Sequence, residues 1–157
     1  MAKTSPVDQP EDAVAMLQAD HQRINDLFQQ YEKSRDPHGR QQLIAQVLTA
    51  LELRMLLEDT VFFPALAEDT DEDGEELIEA AFQDHQRVRE LMGALLECDP
   101  EDVDFDPLFH ELMESVLSQM DQEERALFPQ AQAHLTAIMQ SLTEEMQDIR
   151  QALMASP

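Results

Sequence analysis

The side chains that could do chemistry here are polar residues at helix positions where an apolar residue is expected. Imidazole and carboxylate groups are ligands that iron, manganese and zinc take in proteins. A buried charge destabilises a fold strongly unless it is paired or bound to a metal. These residues therefore predict a buried polar layer whose groups satisfy one another, coordinate a cation or line a hydrated cavity. The set comprises His21, Arg54, Glu58, His85, Gln119 and Glu123.

Four of these residues come from a stretch that the chain contains twice. The first copy is Arg54–Pro64 (RMLLEDTVFFP) and the second is Gln119–Pro129 (QMDQEERALFP). In both copies a glutamate follows the first residue by four positions, a second acid comes next, and Phe-Pro ends the stretch. Residues four apart share one face of a helix, so the first residue and the glutamate of each copy should point the same way.

The two histidines also belong to a repeat. Asp20–Arg23 (DHQR) recurs without change as Asp84–Arg87. Each half of the chain therefore offers one histidine and one copy of the longer stretch. Two duplicated helix pairs would pack about a pseudo-two-fold axis and place matching residues at one level of the core, as in the metal sites of helix bundles.

The positioning elements are predicted to be helices. The chain has three glycines and one tyrosine but nine methionines, a composition that favours helix over sheet. Apolar residues recur every three to four positions in four segments, which predicts an all-α, up-down-up-down four-helix bundle with an internal two-fold repeat and a C-terminal helical extension. The acidic segment Glu68–Glu76 is interpreted as a connection, and Pro64 and Pro129 are expected to kink or end their helices. The predicted domain limits are 1–10 for a disordered lead-in, 11–135 for the bundle and 136–157 for a C-terminal helix.

The charge of the chain limits its partners. With 34 acidic and 10 basic residues, the net charge of −24 should repel nucleic acid and anionic membranes. The single cysteine, Cys98, cannot form an internal disulfide, and no apolar run approaches the length of a membrane span. A cytoplasmic protein is the expectation, and the sequence predicts no oligomeric state.

Over roughly residues 12–135 the repeats resemble the hemerythrin-like family, also called the HHE cation-binding domain. In that family, the first helix of each half carries a histidine and the second carries His-x-x-x-Glu. These residues hold a di-iron centre for oxygen binding or sensing, nitric oxide or peroxide chemistry, or iron handling. The resemblance implies that four residues of this chain are metal ligands: His21, Glu58, His85 and Glu123.

The chain departs from the family pattern at two ligand positions. Arg54 and Gln119 stand where the family has the histidine of His-x-x-x-Glu. A guanidinium has no lone pair to offer and remains charged, so a complete di-iron site lacks ligands. Gln119 could offer a weak carbonyl ligand, and the four matching residues could hold one ion of iron, manganese or zinc.

Three functions remain open from the sequence. The first is an incomplete di-iron site that binds a metal weakly, as a single ion, or not at all, with iron as the candidate cofactor. The second is a metal-free structural or interaction protein whose polar core pairs Arg54 with Glu58 and Glu123. The third is a di-iron oxygen, nitric oxide or iron sensing or handling protein. No enzymatic activity is predicted, and the sequence leaves open whether Arg54 points inward or reaches solvent along its stem. A further His-x-x-x-Glu, His110 to Glu114, lies off the apolar stripe and is interpreted as a surface pair.

Overall fold

The computed structural model describes residues 12–155, and this part of the chain forms helices and short connections without any β-strand. The predicted all-α helical bundle is confirmed. The lead-in predicted over residues 1–10 lies outside the described residues. The α-helices are α1 (Ala13–Lys33), α2 (Pro37–Leu57), α3 (Phe63–Asp69), α4 (Glu72–Glu97), α5 (Phe105–Gln122), α6 (Phe128–His134) and α7 (Met139–Ala155).

Two antiparallel hairpins build the bundle, because α1 packs against α2 and α4 packs against α5. Aspartates cap three of these helices at their N-termini. The Asp12 side chain accepts from the Ala15 N–H, and the Asp36 side chain accepts from the Gly39 N–H. Such caps satisfy backbone donors that have no partner within the helix, so they fix where each long helix begins.

The acidic segment interpreted as a connection is mostly helical, so this prediction was wrong. Only Thr70 and Asp71 separate α3 from α4. The Asp71 side chain caps α4 by accepting from the Gly74 N–H, and acidic residues in the first turn face the positive end of the helix. A Cβ atom at Gly74 would lie 1.8 Å from the Thr70 hydroxyl oxygen, so the tight junction requires glycine there.

Both prolines are accommodated by a turn of π-helix that precedes them. The turns span Glu58–Phe62 and Glu123–Leu127, and each begins on the glutamate of the repeated stretch. The N–H five residues after each glutamate donates to the carbonyl of that glutamate. A proline clashes with the carbonyl four residues earlier in a regular α-helix, and the wider turn relieves this clash. The helices therefore continue past the prolines as α3 and α6.

The apolar core consists of two clusters that meet the polar layer from opposite sides. One cluster includes Ile24, Leu51 and Val88, and the other includes Leu17 and Phe62. Along each core helix the polar residue therefore separates one apolar segment from the next. The layer lies between these two clusters, and its residues are buried.

The C-terminal segment covers one side of the bundle. A 3₁₀ turn over Thr136–Ile138 separates α6 from α7, and α7 contacts both α1 and α2. The Thr143 hydroxyl accepts from the Ala13 N–H at 2.8 Å, and Arg150 Nη2 donates to Asp20 Oδ2 at 2.7 Å. These contacts fix α7 beside the first helix. Of the helices between residues 12 and 155, none combines the length and apolar character needed to cross a membrane.

Candidate metal centre

The six polar residues singled out from the sequence lie together in one buried layer. None of them is more than 3% exposed, and the side chain of Arg54 is fully buried. Arg54 therefore points into the bundle rather than along its stem to solvent. Each core helix contributes to the layer, and the two turns of π-helix hold its glutamates. The layer comprises His21, Arg54, Glu58, His85, Gln119 and Glu123.

Each histidine is held between two carboxylates of the other half of the chain. His21 Nε2 lies 3.0 Å from Glu123 Oε1, and its Nδ1 lies 2.7 Å from Glu124 Oε2. His85 repeats this geometry, with Nε2 at 3.0 Å from Glu58 Oε1 and Nδ1 at 2.7 Å from Asp59 Oδ1. The crossed pairing is the structural counterpart of the sequence repeat.

The second acid of each repeated stretch belongs to the candidate site, although the sequence pattern assigned it no role. Asp59 and Glu124 orient the imidazoles by binding Nδ1 and leave Nε2 facing the layer. Carboxylates serve metal-binding histidines in this way in many metal sites. The recurrence of an acid after each core glutamate was the signal available in the sequence.

The phenylalanine before each proline supports the same two imidazoles. Phe128 stacks on His21 with ring centres 5.3 Å apart, and Phe63 stacks on His85 at 5.5 Å. The rings therefore fix the imidazole planes from the apolar side. The glutamate, the second acid and this phenylalanine of each repeated stretch thus position a histidine of the other half.

Arg54 occupies the centre of the layer. Its Nη2 donates to Gln119 Oε1 at 2.9 Å, and its Nη1 lies 3.2 Å from His21 Nε2 and 3.7 Å from Glu123 Oε1. Its Nε is 3.9 Å from Glu58 Oε1 and has no hydrogen-bond partner among residues 12–155. The guanidinium thus meets both core carboxylates at ion-pair distance, but its shortest contact is to Gln119.

Gln119 links the arginine to the second carboxylate. Its side-chain oxygen accepts from Arg54, while its Nε2 donates to Glu123 Oε2 at 3.0 Å. The amide carries its donor and its acceptor together at the end of a flexible side chain. A neutral histidine also has one donor and one acceptor, but its rigid ring holds them apart. Gln119 therefore suits an arginine partner.

The two core glutamates differ in their protonation. Burial raises the pKa of Glu58 above its usual range, and the neighbouring Glu123 carboxylate raises it further. Burial opposes ionisation of Glu123 as well, but Arg54 and His21 hold the pKa of Glu123 well below its usual range. Burial lowers the pKa of His85, but hydrogen bonds to Asp59 and Glu58 outweigh it and raise that pKa to about 9. The layer thus keeps one firmly ionised carboxylate, beside the guanidinium.

The residues present do not fit a di-iron centre. His21, Glu58 and Glu123 each offer a ligand atom, and these atoms lie within 4.8 Å of one another, close enough to surround one ion. Arg54 Nη1, however, lies within 4 Å of both the His21 and the Glu123 atoms. A guanidinium cannot ligate a metal and repels one, so its position conflicts with a cation at the same atoms.

The other candidates from the sequence lie away from this layer. His110 Nε2 pairs with Glu32 Oε1 at 2.6 Å, and its Nδ1 contacts the Asp106 carbonyl. Its partners are therefore not Glu114, the residue paired with it from the spacing alone. Cys98 is half-buried near the end of α4 and is a free thiol.

Comparison with known proteins agrees with the helical fold. The family model of the hemerythrin HHE cation binding domain matches residues 12–131 of this sequence. An uncharacterised hemerythrin-like protein of Schizosaccharomyces pombe is 26% identical over 117 residues, which cover 74% of this chain and 58% of that protein. The crystal structure of a hemerythrin HHE cation binding domain-containing protein from Mycobacterium kansasii has the same fold, with a TM-score of 0.74 and 20% identity over 92% of this chain and 90% of that one. The chain belongs to the hemerythrin HHE cation-binding domain family.

Proposed function

We propose that this protein is a metal-independent member of its family, in which Arg54 provides the positive charge that a metal would otherwise provide. The single observation that carries the proposal is the full burial of the Arg54 side chain, with its guanidinium among the layer's ligand-type atoms. The protein then acts as a structural or interaction module rather than through iron chemistry.

The charges of the layer support this function. Two carboxylates without a cation would repel each other in a medium that screens them poorly. Arg54 meets Glu123 at 3.7 Å and Glu58 at 3.9 Å, and Gln119 completes the hydrogen bonding of the guanidinium on one side. An arginine placed this way stabilises the layer whether or not metal is available.

The loss of both histidines from the repeated stretch also argues against di-iron chemistry. Arg54 and Gln119 form a hydrogen-bonded pair with each other, so the two substitutions complement one another. Each half would contribute one histidine and one glutamate, fewer ligands than the family pattern provides. Oxygen, nitric oxide or peroxide chemistry at two irons would lack these ligands.

Binding of one metal ion is the second candidate, and one observation favours it. Ligand atoms of His21, Glu58 and Glu123 already lie within 4.8 Å of one another. An ion at this position requires Arg54 to move away from Glu123 and His21. Affinity would then be reduced by the free energy of breaking the Arg54–Gln119 hydrogen bond and displacing the buried charge.

Thermal unfolding with and without metal separates the two candidates. The protein is unfolded in chelator and then with excess Fe²⁺, Mn²⁺ or Zn²⁺, and the metal-independent function predicts the same Tm throughout. A metal present at 100 times its Kd would add about 2.7 kcal/mol to the free energy of unfolding. A rise of Tm that saturates with one equivalent of metal would favour the single-ion site.

A further inference from the structure

The seam between α2 and α4 is an open groove with an apolar floor. Its larger part has a volume of about 630 Å³ and is lined by Met55, Leu56, Met92, Gly93 and Leu96, among others. Leu56 is 37% exposed and Leu96 is 71% exposed. Exposed leucines beside a concave surface mark interaction sites more often than isolated ones do.

The groove continues along the same seam towards the start of α2. A second depression of about 240 Å³ shares Leu96 and is lined by Ile44, Leu48 and Phe105. The lining positions extend from Gln41 on α2 to Thr60 in the turn of π-helix that follows it, roughly 29 Å at 1.5 Å per residue. We call this surface the α2/α4 groove, and it is long enough to hold five turns of a second helix.

Gly93 deepens the groove at its centre. A Cβ atom added there would meet no heavy atom within 4 Å, so no contact among the described residues requires glycine. Glycine inside a helix destabilises it by roughly 0.5–1 kcal/mol relative to alanine. A small residue at this site allows another backbone to approach α4 closely.

The charges around the groove select the kind of partner. Glu52 and Asp59 line its α2 side. Arg89, the one cation in its lining within the described part of the chain, is paired with Asp59 at 2.5 Å. Glu90 and Glu97 are exposed and lie three residues before and four residues after Gly93, so they flank it on α4. The rim is therefore acidic, as is the chain, whose net charge is −24. A second copy of this chain would be repelled, whereas a basic partner would be attracted.

We propose that the α2/α4 groove binds a basic amphipathic helix of a partner protein. The apolar face of that helix packs on the exposed Leu56 and Leu96 beside Gly93, and its lysines or arginines pair with the acidic rim. The inference builds on the interaction role proposed above, but its test involves no metal, so either proposal can fail while the other stands.

The probe is a synthetic 18-residue helical peptide with leucines on one face and lysines elsewhere, about 27 Å long. A matched peptide carries glutamate in place of every lysine. Fluorescence anisotropy should give saturable 1:1 binding of the lysine peptide and none of the glutamate peptide. Equal binding of both peptides, or no binding of the lysine peptide, would overturn the proposal.

Variants distinguish peptide binding in the groove from general attraction of a basic peptide to an acidic protein. Gly93→Leu fills the groove without changing the charge and should weaken binding at least about tenfold, the loss expected when a central contact is removed. Leu96→Gln should also weaken binding, whereas Met154→Gln, a change at an equally exposed residue of α7 (72%), should leave it unchanged.

Each contrary result has a definite meaning. Undiminished binding to Gly93→Leu and Leu96→Gln would show that charge alone attracts the peptide and would overturn the groove as the site. Sedimentation that finds a dimer of the wild type, lost in Gly93→Leu, would show that a second copy occupies the groove and would overturn the basic partner. Melting curves of both variants serve as the folding control.

Discussion

Replacing Arg54 by methionine removes the central cation while keeping a long side chain in the core. Glu58 and Glu123 would then lie in the layer without the guanidinium that contacts both, and Gln119 Oε1 would lose its donor. Breaking a buried ion pair from one side costs about 3–5 kcal/mol, because the remaining charge is left uncompensated. Total stabilities of single domains are roughly 5–15 kcal/mol, so Arg54→Met should unfold at much lower urea concentration.

The assay is urea unfolding at pH 7 followed by circular dichroism, with Arg125→Met as the matched control. Arg125 also pairs with an aspartate, Asp121, but the two side chains are 76% and 59% exposed. Its loss should cost no more than about 1 kcal/mol. A similarly small loss for Arg54→Met would refute the reasoning. Zn²⁺ should restore stability to Arg54→Met but should not stabilise the control variant, because only in Arg54→Met can a metal replace the missing cation.

The remaining predictions concern iron and pH. Arg54→His combined with Gln119→His restores the family pattern, so this variant should bind iron and gain the absorption band of an oxo-bridged pair; a folded variant that refuses iron would contradict the placement of the two residues in one layer. The free energy of unfolding should fall between pH 6.5 and 9, because the pKa of His85 is raised to about 9 in the folded protein, and its contribution is present below the unfolded pKa and lost as pH rises through the folded one. The pKa of Glu58 is raised to about 7, so its ionisation lowers the free energy of unfolding at lower pH, between about 4.5 and 7. The measurement is urea unfolding at several pH values, and His85→Gln should flatten the profile.

The sequence predicted the bundle and the membership of the polar layer. Apolar periodicity depends only on which residues face inward, and a histidine or glutamate that interrupts it is visible in one dimension. The recurrence of Asp-His and of Glu-acid at matching positions then placed His21, Glu58, His85 and Glu123 at one level. These are local patterns, so no tertiary contact was needed to find them.

Other features depend on contacts that the sequence pattern does not encode. The direction of the Arg54 side chain was open because an arginine stem can reach solvent, and its inward course follows from the amide of Gln119 on another helix. Each turn of π-helix depends on one backbone hydrogen bond, which the carbonyl of Glu58 or Glu123 accepts from the N–H five residues later instead of four. The roles of Asp59 and Glu124 appear only when the halves are paired, because each binds a histidine of the other half.

The metal content of the native protein tests the central claim most directly. The protein is expressed in medium supplemented with iron, manganese and zinc, purified without chelator, and analysed by inductively coupled plasma mass spectrometry, with Arg54→His/Gln119→His prepared in parallel. If Arg54 takes the place of a metal, the native protein should contain no stoichiometric metal and the double variant should contain bound iron. One or two ions per native chain would contradict it.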